Sequence, residues 1–328
     1  MRKVSVIVPM LNSSKYVDSN IQYIVDQNYD NIEVIFVVDK RTNDDTVEKL
    51  NQGMKRLKDA RIVCQSDGGD LGEARNIGID NSSGDIIWFL DADDRPLPGF
   101  LRTLTDALET YDADVAFCNY AWSYTTDVHT DTGVPVFHVM DRLQALNSKV
   151  EERLATTSWS MISRAGLIRD NGLRFRRDGY VEDVDFTYRL LSKAERVCYT
   201  DSVLYIYLQN PTSISSSGKE VERCRTEMRI YAELREYFKE NVPEFYDNFS
   251  VLSVRNLMRA CVTMDMPNYL RIAKDENIRE LIDKYRKRMT GPEMTVMRLS
   301  PRLYYYAVKL HTKLFSAEGK AVIRGRDR

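Results

Sequence analysis

The chain has 328 residues, 43% hydrophobic and 29% charged, which suits a globular fold with a large buried core and excludes a disordered or fibrous protein. Its 47 basic and 49 acidic side chains leave a net charge of −2, unlike the strongly basic balance of a nucleic-acid-coating protein. Scattered Cys64, Cys118, Cys198, Cys224 and Cys261, dispersed His129, His138 and His311, and no apolar run near the roughly 18 residues of a membrane span argue against a disulfide framework, a zinc centre and a transmembrane protein.

In chain order, Val4-Ser5-Val6-Ile7-Val8-Pro9 is a short β-branched run of the kind a buried parallel strand uses. A helix is expected from Ser13 to Asp26, then a strand from Ile32 to Asp39. A polar turn from Lys40 to Asp45 leads to a helix ending near Leu57. A short strand, Arg61 to Cys64, precedes a helix beginning near Leu71. Strands alternating with helices through short loops predict an α/β fold with a mostly parallel, doubly wound sheet. Pro9, Asp39, Asp67 and Asp91 each fall at or just after a strand end, so one crevice would gather all four.

The most informative stretch is Gly84 to Asp94, where the apolar run Ile86-Ile87-Trp88-Phe89-Leu90 is followed by Asp91-Ala92-Asp93-Asp94. Asp91 and Asp93 leave an extended segment on the same side, and two carboxylates held that close favour a cation between them. Hard oxygen donors suit Mg²⁺ or Mn²⁺, whose shells are completed by water and phosphate oxygens. A solvated acidic turn is the plainer alternative.

The opening strand with Met10-Leu11-Asn12 resembles that of the family 2 glycosyltransferases, which have the GT-A fold. Val37-Val38-Asp39 with Asn43-Asp44-Asp45-Thr46 is similar to their second strand and turn. Leu71-Gly72-Glu73-Ala74-Arg75-Asn76-Ile77-Gly78 resembles their A-R-N-x-G helix start, and Asp91-Ala92-Asp93 their D-x-D. Val181 to Phe186 is similar to their later E-D motif, and Asn210 to Ser215 to the segment closing the catalytic domain. The resemblance covers residues 1–215. It implies a GT-A catalytic domain there, with a nucleotide-sugar half over 1–95 and an acceptor half over 96–215.

The same resemblance implies inverting, metal-assisted transfer of a sugar from a UDP-sugar to a hydroxyl of a glycan or polyprenyl-linked saccharide, as in bacterial cell-surface polysaccharide synthesis. Pro9, Asn12, Asp39, Asp67, Arg75, Asp91 and Ala92 would bind the nucleotide sugar. Asp93 would be the direct ligand of Mn²⁺ or Mg²⁺, with Asp91 beside it, and Asp183 the base, with Asp185 as its rival. Glu182 and Asp94 have secondary claims. The chain departs from the family pattern at Lys40-Arg41-Thr42, where an acid, Gly and Ser are usual. It departs again at Tyr207-Leu208-Gln209-Asn210, where relatives carry a His or Arg. Two other readings are a non-catalytic sugar-nucleotide or glycan-binding homologue and a sugar-1-phosphate nucleotidylyltransferase. The second would need a Gly-rich basic loop after the first strand, and Met10 to Lys15 is not one.

Among the aromatic residues of 119–160, Trp122 or Trp159 would offer a stacking face for the acceptor, although core packing is the commoner use. Ser158 to Arg164 reads as a strand entering a helix. Beyond 216 a helical extension is expected, with helices over Glu222–Glu240, Phe245–Met264 and Leu303–Phe315. Residues 281–328 hold 12 basic against 4 acidic side chains, while residues 1–280 hold 35 against 45. The basic amphipathic helix from Leu303 is expected either to lie on an anionic membrane, making the protein a peripheral one on the inner cytoplasmic face, or to pack on protein, including a neighbouring chain.

Overall fold

The structure is a computed structural model that describes residues 1–66, 69–125, 128, 133–150, 154, 157–177, 181–209, 220–289, 291–316 and 322–323. The chain divides into two compact units, Met1–Gln209 with Ala321–Arg328, and Asn210–Lys320.

The first unit begins with β1 (Val4–Met10), α1 (Val17–Val25), β2 (Ile32–Asp39), α2 (Thr46–Gly53), β3 (Ala60–Gln65), α3 (Leu71–Asp80) and β4 (Ile86–Phe89). It continues with β5 (Arg95–Pro96), α4 (Phe100–Thr110), β6 (Val115–Ser123), β7 (Phe137–Asp141), α5 (Arg142–Val150), β8 (Met161–Arg164), α6 (Ala165–Asp170), α7 (Glu182–Lys193) and β9 (Arg196–Leu208). One sheet runs β3-β2-β1-β4-β8-β6-β9-β5, with β7 paired to β9 and β10 (Val322–Ile323) paired to β6. The ladders β3-β2-β1-β4 are parallel. β8 runs antiparallel to both β4 and β6, so the sheet is mixed beyond β4.

Side chains alternate between two covered faces, which is why the first strands are apolar throughout. Val4, Val6, Val8, Phe36 and Trp88 join α1 and α4 in one core. On the other face α3 lies on β1, and Phe89 meets Phe186 of α7 edge-on at 5.8 Å. That contact between α3 and the sheet is close. A Cβ on Gly78 would stand 2.2 Å from Ile7 Cγ2, so only glycine fits there.

The second unit contains α8 (Glu220–Asn241), α9 (Pro243–Cys261), α10 (Met266–Ala273), α11 (Glu276–Lys284), α12 (Pro292–Leu299) and α13 (Pro301–Ser316). Phe238, Phe245 and Phe249 cluster where α8 and α9 pack, with ring centroids 4.8 to 5.9 Å apart. α13 leans on α10 through Tyr305, whose ring lies 5.1 Å from that of Tyr269 and whose hydroxyl donates to the Met264 carbonyl at 2.9 Å. Among the described residues no helix is long and apolar enough to cross a membrane.

Candidate active site

The C-terminal ends of β1, β2 and β4 open on one edge of the sheet, where the strand order switches direction between β1 and β4. Pro9 is buried in β1 opposite Val37 of β2. Asn12 follows in the left-handed region at φ 48°, and its side-chain oxygen accepts from the Asn43 backbone N–H at 2.9 Å, tying β1 to the turn after β2. Asp39 closes β2, buried and gripped by Arg41. Nε donates to Oδ1 at 2.9 Å and Nη2 to Oδ2 at 2.6 Å, while Nη2 also reaches the Gly69 carbonyl at 2.7 Å. That guanidinium holds the Asp39 carboxyl below its ordinary pKa. Asp67 lies outside the described residues, as does the Asn210 to Ser215 segment.

Asp70 begins α3 by accepting from the Glu73 backbone N–H at 3.0 Å, an N-cap that fixes the helix register and places Arg75 one turn in. The Arg75 side chain is fully buried and joins three elements. Nη2 donates to Asp91 Oδ1 at 2.9 Å, after β4, and Nη1 donates to Glu182 Oε1 at 2.7 Å and Asp183 Oδ1 at 2.8 Å, in the first turn of α7. Phe175 underlies the guanidinium at 5.2 Å and stacks on Phe186 at 3.8 Å. Asn76 secures Phe175 with a reciprocal pair of 2.9 Å hydrogen bonds to its backbone. A Cβ on Gly72 would sit 2.0 Å from the Arg176 carbonyl oxygen, so the A-R-N helix can approach that segment only with glycine there.

α7 starts from a strained residue. Val181 has φ 52°, a left-handed conformation that a β-branched side chain disfavours. It delivers Glu182 and Asp183 to the helix N-terminus, where the dipole favours anions. Ser158 Oγ donates to Asp183 Oδ1 at 2.8 Å, and the Ser158 backbone N–H approaches Oδ2 at 3.3 Å. Burial nevertheless raises the Asp183 pKa, with Arg75 opposing the shift, and burial together with the Asp183 charge lifts Glu182 to about 7. One guanidinium faces three carboxylates, and the surplus negative charge shows in those shifts. Asp185 turns away: Arg189 Nε donates to its two oxygens at 3.0 and 2.9 Å, and Arg176 stands 3.9 Å off.

Asp93 and Asp94 complete the turn after β4. Asp94 is buried and accepts from Tyr205 Oη at 3.1 Å and the Leu208 backbone N–H at 3.0 Å, both on β9, so it ties the turn to a distant strand. Burial and the Asp91 charge raise Asp93 to about 6, and among the described residues it accepts no hydrogen bond from another side chain. The Ala92 carbonyl accepts weakly from Asn20 Nδ2 at 3.4 Å. Among the described residues no group of three His, Cys, Asp or Glu is arranged to enclose a metal. The donor set nonetheless fits the hard divalent cation that the fold implies. Such an ion needs only one or two carboxylates when phosphate and water supply the rest, and among the described residues Asp93 forms no ion pair, only the charge of Lys15 opposing its upward shift.

Trp159 is 4% exposed, stacked on Tyr205 and Tyr207 with centroids 4.6 and 5.2 Å away, and offers no free face to a ligand. Trp122 is 50% exposed beside Tyr207 and does. Sequence reasoning missed Ser158 and the closure of Arg41 over Asp39. The second was within reach, because residues two apart at a strand end can pair.

The model of the family described as Glycosyl transferase family 2 matches residues 5–168. The chain is 31% identical to the uncharacterized glycosyltransferase EpsJ of Bacillus subtilis over 220 residues, 65% of this chain and 62% of EpsJ, so the match spans under two thirds of that relative. Staphylococcus aureus TarS 1–349, solved in complex with UDP-GlcNAc, shares the fold at a TM-score of 0.62 and 18% identity over 99% of this chain and 97% of that one. The mannosyltransferase PcManGT of Pyrobaculum calidifontis, solved with GDP-Man and Mn²⁺, superposes at a TM-score of 0.59 and 14% identity, covering 97% and 88%. With its GT-A sheet and a family match over residues 5–168, half its length, this chain belongs to glycosyl transferase family 2.

Proposed function

We propose that the chain transfers a sugar from UDP to a hydroxyl of a glycan or lipid-linked saccharide, with inversion at the anomeric carbon, in cell-surface glycan synthesis. The observation that carries this reading is the Arg75 cluster, which gathers the D-x-D acid Asp91 and the α7 acids Glu182 and Asp183 at the sheet edge. The UDP-GlcNAc bound by TarS supports the choice of carrier.

Pro9, Asn12 and Asp39 line the nucleoside side of the crevice, where Asp39 accepts from the base once Arg41 yields its carboxylate. Asp93, with Asp91 beside it, would hold the divalent cation, whose positive charge stabilises the departing diphosphate. Asp183 takes the proton of the acceptor hydroxyl as its oxygen bonds to the anomeric carbon. The bond from that carbon to the diphosphate breaks on the opposite face, and its electron pair leaves with UDP. Burial makes Asp183 a stronger base than a solvated carboxylate, while Ser158 and Arg75 hold it in place. Arg75 is a positioning residue, acting through the carboxylates around it.

The test is UDP release from a panel of UDP-sugars with Mn²⁺, with Mg²⁺ and with EDTA, without added acceptor. Slow release from one donor, abolished by EDTA, is expected. No release together with no UDP binding by calorimetry would overturn the reading. Asp183→Asn should lower transfer by about a hundred- to ten-thousandfold while UDP binding persists. Equal loss of both would remove Asp183 from the role of base.

A further inference from the structure

Most of the large apolar side chains of the second unit are buried, but one run is not. Leu299, at the end of α12, is 72% exposed, and Leu303, Tyr306 and Leu310 on α13 are 63%, 64% and 59% exposed. On α13 these residues recur at intervals of three and four, so they form one stripe on a single helix face. The opposite face is engaged: Tyr304 and Tyr305 are buried, the latter against Tyr269 and the Met264 carbonyl. The stripe is therefore the outer surface of a docked helix. Exposed apolar side chains grouped in this way mark a surface that meets something other than water.

Charge decides between the candidates to cover it. Arg302 and Lys309 are exposed on the same helix, and among the described residues neither pairs with a carboxylate. Lys309 instead lies 4.6 Å over the Tyr305 ring, close to the stripe. No acidic residue occurs between Glu293 and Glu318, and residues 281–320, the end of this unit, carry 9 basic against 3 acidic side chains, a net charge of +6. Two copies apposed through this face would bring like charges together. A sheet of anionic headgroups would neutralise them while its acyl boundary receives the leucines, and an interfacial tyrosine suits both zones.

We propose that the outer face of α13, with Leu299, is a docking surface for an anionic lipid bilayer. None of these residues is among those assigned to the transfer site, so the proposal stands or falls independently of the donor and acceptor assigned above.

The test is co-sedimentation of the full chain with phosphatidylcholine vesicles and with vesicles enriched in phosphatidylglycerol, at low and high salt. Binding is expected to the anionic vesicles and to weaken with salt. Lys309→Ser should lower partitioning by about fivefold. Leu303→Glu with Leu310→Glu should lower it by roughly a hundredfold, with the thermal unfolding midpoint and metal-dependent UDP release unchanged. Failure of the folded, monomeric wild type to bind anionic vesicles would overturn the proposal. Equal binding to neutral vesicles would also overturn it, as would a wild-type dimer by light scattering that the leucine variant turns into monomer.

Discussion

Two buried carboxylate networks sit at opposite edges of the same sheet, and they are built to opposite ends. At the edge away from the site, Glu33 on β2 is 1% exposed and surrounded by donors. Ser5 Oγ at 2.5 Å, the Ser83 backbone N–H at 2.6 Å and the Gly84 backbone N–H at 3.0 Å all donate to Oε1, and Lys3 and Arg61 approach Oε2 at 3.1 Å. Burial alone would raise its pKa, yet these partners bring it down to about 2. At the site edge, Arg75 is outnumbered by Asp91, Glu182 and Asp183, and the carboxyl groups of the α7 pair move upward instead. The first network is saturated and behaves as a staple between β1, β2 and the turn before β4. The second leaves negative charge for something outside the chain to balance.

Removing the hub cation gives the largest effect. Arg75→Met leaves the buried Glu182 and the part-buried Asp91 and Asp183 without their shared partner and should cost about 3–5 kcal/mol in denaturant unfolding at neutral pH. The loss should shrink on acidification, because Glu182, at about 7, takes up a proton and removes one of the repelling charges. A loss independent of pH would mean that packing of the Phe175 floor, and not charge, dominates. Glu33→Gln comes next, at about 1–3 kcal/mol, because buried donors lose their anionic acceptor. This loss also shrinks on acidification, but in a lower pH window. A carboxylate with a depressed folded pKa contributes stability that is fully present above the ordinary 4.5 and disappears as pH falls through about 2. The wild type should therefore lose stability through that acid window, and the Gln variant should show a flatter limb.

The smallest change is expected at Arg41, which is half-exposed where it covers Asp39. Arg41→Ala should alter stability by less than about 1 kcal/mol. By uncovering the carboxylate it should tighten UDP binding in calorimetry by about fivefold or less. Weaker binding would assign Arg41 to the nucleotide's phosphates.

The strands before Asp39 and Asp91 were legible because burial on both faces writes itself as continuous β-branched and aromatic runs. The D-x-D turn was legible for the same reason, since it closes such a run. Strand direction leaves no mark in periodicity, so the antiparallel insertion of β8 was not to be read from Met161 to Arg164. The partners of Arg75 were equally hidden: Glu182 and Asp183 lie 107 and 108 residues further along, and no local pattern pairs them. Asp94 looked like a turn residue, yet its carboxylate reaches 111 and 114 residues ahead to β9. Of the two tryptophans weighed as a sugar platform, composition could not say which ring the aromatic neighbours would bury.

The distance along the chain between Arg75 and its carboxylates also orders events during synthesis. Strands β1 to β4 and the helices between them are made of near neighbours in sequence and can assemble soon after they emerge. Through that interval Arg75 has only Asp91 to face, and water must solvate the rest of its guanidinium. The cluster becomes electrically complete only when residues 182 and 183 have been translated and α7 has docked, so the crevice cannot take its final form until most of this unit has been made.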